Sequence, residues 1–149
     1  FDAVFLAADE MMRNQVGRKA LVLISDGVDW GSRVSAREAI EAAHRADTVI
    51  YGIHYVDNIF YRWKCNRCMP GTSTLKKLAR ETGGNMFKVS RKQPLAKIYD
   101  TIQNELRNQY SIGYTANRDS SDPSFRKIKL RTKNKKLKVQ TRSGYYRKS

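Results

Sequence analysis

The chain has 149 residues, of which 40% are hydrophobic, and a formal net charge of +15. That length and composition predict one globular domain, or one domain with a small appendage, and argue against a disordered chain. No apolar run approaches the roughly 20 residues that cross a bilayer, which excludes a transmembrane helix.

The first elements show helical and strand patterns in alternation. Apolar residues spaced by three and four predict a helix over residues 1–15. The continuous apolar run at residues 20–25 is typical of a parallel strand that is covered on both faces. Ser35 and Glu38 have the spacing of a capping box, which predicts an Ala-rich helix that ends near residue 46.

The same alternation continues to residue 108. The predicted elements are a strand at residues 48–55, a helix capped by Ser73 or Thr74 and stopped by Gly83 and Gly84, a strand at residues 85–89, and a helix from Pro94 to residue 108. The order α-β-α-β-α-β-α favours a doubly wound (Rossmann-like) α/β fold with a parallel sheet.

Residues 109–149 have a different character and are predicted to be a separate C-terminal β extension. Residues 88–149 carry +13 of the net charge, with 17 Lys and Arg against 4 Asp and Glu. Short strands are expected at residues 110–115, 125–132 and 137–142, with a tight connection at Asn134. Apolar and basic residues alternate in the last two, which predicts an antiparallel meander with one apolar and one basic face.

The basic extension allows three interpretations. Its cations, with aromatic rings as stacking surfaces, can bind a polyanion such as nucleic acid. They can be attracted to an anionic cell surface, or they can form only a solvated face that protects a strand edge. The residues concerned are Lys127, Lys129, Arg131, Lys133, Lys135, Lys136, Lys138 and Arg142, and the rings are Tyr114, Phe125, Tyr145 and Tyr146.

Two further places carry candidate chemistry. Asp26 directly follows the strand at residues 20–25, at the edge where open α/β sheets bind ligands, although Asp-Gly is also an ordinary turn sequence. A long irregular stretch contains Cys65 and Cys68. This pair has three interpretations: a local disulfide, two free thiols or a metal site. The same stretch contains Phe60, Tyr61, Arg62 and Trp63, which with Trp30 either contact a partner or cover the helix layer.

Nothing in the sequence predicts an enzyme. Ser25 lacks a Gly-x-Ser-x-Gly turn, and neither His44 nor His54 is an obvious partner for it. No acid pair, phosphate loop or complete set of metal ligands is found either. We therefore do not expect an enzyme.

Three segments in order resemble a von Willebrand factor type A (VWA) domain. They are Arg-Lys-Ala-Leu-Val-Leu-Ile-Ser-Asp-Gly-Val-Asp at residues 18–29, Ala-Asp-Thr-Val-Ile-Tyr-Gly-Ile at 46–53, and Leu-Lys-Lys-Leu-Ala-Arg-Glu-Thr-Gly-Gly at 75–84 before Met-Phe. The tail motifs at residues 110–114, 125–128 and 142–146 are similar to a bacterial VWA-related subfamily. The resemblance covers nearly the whole chain and implies that residues 1–108 form the C-terminal half of such a domain.

That resemblance implies protein binding or cell adhesion through a divalent-metal site. The family uses an Asp-x-Ser-x-Ser motif, a Thr and a later Asp, and a partner's carboxylate completes the coordination. Only the later Asp has a counterpart here, which is Asp26. Asp29 is the candidate for a residue that contacts the metal ligands without binding the metal itself. We therefore expect Mg²⁺ or Mn²⁺ in a longer parent protein and none in this chain alone.

The same truncation predicts an unpaired apolar edge beside residues 20–25. Proteins of this bacterial subfamily are exported, so a periplasmic or cell-surface location is expected, and an oxidising compartment agrees with a disulfide.

Overall fold

The computed structural model describes residues 1–56, 71–115 and 124–146. The elements in chain order are α1 (Asp2–Leu6, continued by a π-helical turn over Ala7–Met12), β1 (Lys19–Ser25), α2 (Ala36–Arg45), β2 (Thr48–His54), α3 (Thr72–Thr82), β3 (Met86–Lys88), α4 (Leu95–Arg107), β4 (Arg126–Lys127) and β5 (Gly144–Tyr145). The predicted order of elements up to α4 is confirmed, and no boundary differs by more than three residues.

The three longer strands form a parallel sheet in the order β1-β2-β3. Lys19 lies opposite Thr48 and Ser25 opposite His54, so β1 and β2 pair over their full seven-residue length. β3 joins further along, and its last residue, Lys88, lies opposite His54. The three strands therefore end in one row, and the loops that follow them leave from the same edge of the sheet.

Helices cover both faces of this sheet. On one face, α1, α2 and α3 pack around Ile50, and the core there includes Val4, Ala39 and Leu78. On the other face, α4 packs Ile98 and Ile102 against Tyr51 and Ile53 of β2. The side chains of β2 alternate between the two faces, and all but one are buried, as a central parallel strand requires.

The outer strand β1 is less well covered than β2. Among the described strands it pairs with β2 alone. Val22 and Ile24 are 40% and 51% exposed, although each is a large apolar residue within the strand. Within residues 1–56, 71–115 and 124–146, β1 therefore has no second partner strand, and two of its apolar side chains are exposed.

Helix starts follow local chemistry in one case and tertiary packing in another. The Ser35 hydroxyl accepts from the Glu38 N–H, and the Glu38 carboxylate accepts from the Ser35 N–H, so the predicted capping box of α2 is confirmed. The predicted cap of α3 by Ser73 or Thr74 is wrong. Gly71 occupies that position without a side-chain cap, and its backbone packs so closely on Gly27 that a Cβ on either residue would overlap the other's carbonyl.

The C-terminal extension contains less strand than the sequence predicts. Among its described residues, 109–115 and 124–146, only β4 and β5 pair, antiparallel and over two residues each. Residues 110–115 and 137–142 are not strands in the structure. Their apolar side chains have no buried face to join, since Tyr110, Ile112 and Leu137 are 94%, 66% and 61% exposed. Asn134 does form the predicted turn: its side chain accepts from the Lys136 N–H.

The extension is attached at the amino ends of the strands, opposite the edge where β1, β2 and β3 end. The Ser143 N–H donates to the Glu81 carbonyl at 2.9 Å, and the Gln140 side chain donates to the Gly83 carbonyl at 2.9 Å. Arg142 forms an ion pair with Asp47, the residue that precedes β2. The extension and Asp26 therefore lie at opposite ends of the sheet.

Candidate functional site

The candidate site lies where the parallel strands end. Ser25, His54 and Lys88 are paired in register and form one row across the sheet. Asp26 is the first residue beyond that row, and Tyr55 follows His54, with its N–H bonded to the Ser25 carbonyl at 3.1 Å. We call this edge, with the loop of residues 26–32 and Tyr55, the carboxyl rim.

The Asp26 side chain is held by its own turn. Its Oδ1 accepts from the Val28 N–H at 3.0 Å and lies 3.4 Å from the Ser25 Oγ. Ser25 Oγ in turn accepts from the Gly27 N–H at 3.0 Å. Both side chains therefore accept hydrogen bonds from the backbone of the turn after β1.

The loop after Asp26 is fixed by the backbone contact with α3. Gly27 has a φ of 78°, in the left-handed region that glycine adopts without strain. At this point the chain runs against Gly71, and the two backbones touch because neither residue has a side chain. The contact ties the loop after β1 to the start of α3, and the carboxyl rim is therefore a preformed surface.

Asp29 is held within its own loop. Its Oδ1 accepts from the Ser32 hydroxyl at 2.5 Å, and its Oδ2 accepts from the Ser32 N–H at 3.3 Å. These two bonds fix the carboxylate within residues 29–32.

His54 is a residue of the rim that the sequence interpretation set aside. It is only 2% exposed, and its Nε2 lies 3.3 Å from Thr72 Oγ1. Burial, and secondarily the charge of Lys88, lower its pKa, so the ring is neutral at neutral pH. Its place as the last residue of an apolar strand is the sequence signal that would have put it beside Ser25.

Aromatic side chains flank this polar row. Trp30 is 80% exposed and Tyr55 is 56% exposed. The other residues predicted to contact a partner, namely Phe60, Tyr61, Arg62 and Trp63, lie outside the described residues, as do Cys65 and Cys68. In the part of the chain that the structure describes, the rim therefore carries two exposed aromatic rings, Trp30 and Tyr55, and two carboxylates, Asp26 and Asp29.

The carboxylates of the rim are those of Asp26 and Asp29. No group of three or more His, Cys, Asp or Glu among residues 1–56, 71–115 and 124–146 could hold a metal ion. Asp26 offers one carboxylate, and the carboxylate of Asp29 accepts two hydrogen bonds from Ser32. Mg²⁺ requires near-octahedral oxygen ligands, which these described residues do not supply.

The second candidate surface is the basic extension. The predicted polyanion residues Lys127, Lys129, Arg131 and Lys138 are all exposed, but they do not share one strand face, because the meander is absent. Two of the predicted stacking rings are used for packing: Phe125 lies 5.3 Å and Tyr146 6.5 Å from the His44 ring, centroid to centroid.

The remaining two rings of the extension contact each other. The centroids of Tyr114 and Tyr145 lie 6.3 Å apart, edge to face. The Arg142 guanidinium is 5.7 Å from the Tyr145 centroid. Tyr114 is 63% exposed, so it is the more accessible of the pair.

Comparison with known proteins identifies no family for this chain. No protein-family model matches the chain, and no curated protein matches it. A crystal structure of an uncharacterized membrane spanning protein from Vibrio fischeri is similar, with 25% sequence identity and a TM-score of 0.47. The similarity covers 60% of this chain and 47% of that one, so this chain spans about half the length of its neighbour. No helix among the described residues of our protein is long and apolar enough to cross a membrane.

Proposed function

We propose that this chain is part of a VWA-type binding module, not an enzyme, and that its carboxyl rim contacts a protein partner. The observation that supports the proposal is the placement of Asp26 beyond the row formed by Ser25 and His54, with Trp30 and Tyr55 exposed on the same rim. Open α/β sheets bind ligands at this edge, outside the carboxyl ends of their strands.

The chemistry of the rim suits a protein partner better than a small molecule. Trp and Tyr are enriched among the residues that dominate binding energy at protein interfaces, because they bury large areas and lose little side-chain entropy. Trp30 at 80% exposure and Tyr55 at 56% present that area to solvent. The contact between Gly27 and Gly71 holds the loop in place, which lowers the entropy that binding must remove.

The VWA resemblance supplies the finer form of the proposal. In that form, the domain is a doubly wound sheet, and Asp26 shares a Mg²⁺ or Mn²⁺ ion with an Asp-x-Ser-x-Ser motif and a Thr that precede Phe1 in the parent protein. A carboxylate of the protein partner completes the coordination. When bound, the ion supplies electrostatic attraction for that carboxylate. Asp26 contributes one oxygen ligand, oriented by its turn with Val28.

Calorimetric titration of Mg²⁺ and Mn²⁺ into the full-length protein tests this form. We expect binding in the parent, loss of binding in Asp26→Ala, and no binding to the present chain alone. Asp100→Ala, which removes an exposed carboxylate from α4, is the matched control and should bind as the parent does. Absence of metal binding in the full-length protein, or equal binding in Asp26→Ala, would contradict the metal-dependent form.

A further inference from the structure

The segment of residues 127–139, which we call the basic segment, concentrates positive charge. It contains seven Lys and Arg and no Asp or Glu. All seven side chains are exposed, and none of them forms an ion pair with another described residue. Seven cations within 13 residues create a positive potential that favours an anionic partner.

The basic segment has a fixed base and an exposed tip. At its base, Lys127 pairs with Gly144, and Phe125 packs on His44. At its far end, Gln140 bonds to the Gly83 carbonyl. Between these anchors the chain turns at Asn134, whose side chain accepts from Lys136. The charged tip is therefore anchored on both sides and exposed.

Aliphatic side chains are exposed in the same segment. Leu130, Leu137 and Val139 are 44%, 61% and 40% exposed, between or beside the lysines. Cations combined with exposed aliphatic residues match the boundary between lipid headgroups and acyl chains, where the charges meet lipid phosphates and the apolar groups leave water.

The composition favours a lipid surface over nucleic acid. Six of the seven cations are lysines and one is Arg131, whereas the planar guanidinium of arginine is better suited to nucleic-acid recognition. Binding of single strands uses aromatic stacking, but Phe125 and Tyr146 pack on His44 and do not lie in the segment. The exposed apolar groups of the segment are aliphatic, and these suit acyl chains.

We propose that the basic segment binds the surface of an anionic lipid membrane. The lysines contact lipid phosphates, and Leu137 and Leu130 enter the headgroup region. This surface is separate from the carboxyl rim, because its base is attached at the amino ends of the strands. The inference therefore does not depend on the function proposed for the rim.

Co-sedimentation of the full-length protein with lipid vesicles tests the proposal. The probes are phosphatidylcholine vesicles that contain phosphatidylserine and matched vesicles of phosphatidylcholine alone. The test variant replaces Lys133, Lys135 and Lys136 by Gln. The matched control replaces Lys76, Lys77 and Lys97 by Gln. These lysines are exposed on α3 and α4, and their replacement changes the net charge as much as the test variant does.

The expected result is binding to the anionic vesicles that the test variant loses. Attraction to an anionic leaflet is about 1 kcal/mol per lysine near the surface, so each neutralised lysine weakens partitioning about fivefold, and three weaken it about a hundredfold. The control variant should lose no more than a few-fold. Leu137→Ser should weaken the binding that remains in high salt, where the charge contribution is screened.

Three results would overturn the proposal. Equal binding to both kinds of vesicle would show that lipid charge is not recognised, and equal losses in the two triple variants would show that only net charge matters. Tighter binding to a single-stranded oligonucleotide than to anionic vesicles, with loss in the test variant, would assign the segment to nucleic acid. Asp26→Ala should leave vesicle binding unchanged, so failure at the rim and failure here are distinguishable.

Discussion

Thr82→Val should destabilise the protein through one unsatisfied amide of the central strand. The Thr82 hydroxyl accepts from the Ile50 N–H at 2.9 Å and donates to the Leu78 carbonyl at 2.9 Å. β3 begins opposite Gly52, so the sheet offers the Ile50 N–H no partner strand on that side. Both residues are buried, Thr82 at 3% exposure and Ile50 at 0%, so water does not replace the lost acceptor.

The size of this effect follows from the cost of a buried donor without an acceptor. That cost is about 1–3 kcal/mol, and valine keeps the shape of threonine, so no cavity adds to it. At about 2–4 °C per kcal/mol for a chain of this length, a loss near the middle of that range lowers the melting temperature by roughly 4–8 °C. Thr82→Ser keeps the oxygen and should lose less.

Calorimetric melting of the parent, Thr82→Val and Thr82→Ser measures the effect, and amide hydrogen exchange locates it at Ile50. The exchange of that amide should quicken in the valine variant. A valine variant that melts at the parental temperature, with unchanged protection of the Ile50 amide, would refute the account of this contact.

Two other positions give distinct outcomes. Burial lowers the pKa of His44, with the charge of Arg142 as a smaller cause, so the unfolded chain takes up a proton at higher pH than the folded chain does. The contribution of the neutral ring to the free energy of unfolding is therefore complete above about pH 6.5 and decreases as the pH drops below that value. His44→Phe should reduce this decrease, as measured by urea unfolding between about pH 7 and pH 5. Gly84→Ala places a Cβ against the Ile50 carbonyl, and thermal melting should show a loss of about 1–3 kcal/mol or more, whereas Gly113→Ala, with nothing near its added Cβ, should be nearly neutral.

The sheet was predictable because its signals are local and repeated. The apolar run in β1 and the β-branched residues of β2 fall in contiguous stretches, and the capping box of α2 lies within four residues of sequence. The cap of α3 was not predictable, since Gly71 lies there because of a contact with Gly27, 44 residues earlier in the chain. That contact exists only in the folded protein.

The extension shows the limit of a periodicity argument. Alternating apolar and basic residues predict a strand only if a partner strand and a buried face are available. Leu137 and Val139 are 61% and 40% exposed, so the alternation there has no core to face. The pairing that does form, Arg126 with Tyr145 and Lys127 with Gly144, is supported by Phe125 and Tyr146, whose packing on His44 is tertiary.

The rim was predictable in position but not in detail. Asp26 stands at the end of an apolar strand, a place that sequence alone identifies. The place of His54 beside Ser25 depends on strand register. That register leaves no mark in the spacing of residues.

The length of β2 has a consequence for how the protein can change over time. Seven residues at about 3.3 Å each separate the anchor of the extension near Asp47 from the rim near His54 by roughly 20 Å. Side chains that far apart, with no shared neighbours, couple weakly, and the effects of their substitutions add. Substitutions at one end of the sheet can therefore accumulate independently of the other end. The binding specificity of one surface can change in evolution without compensating substitutions at the other.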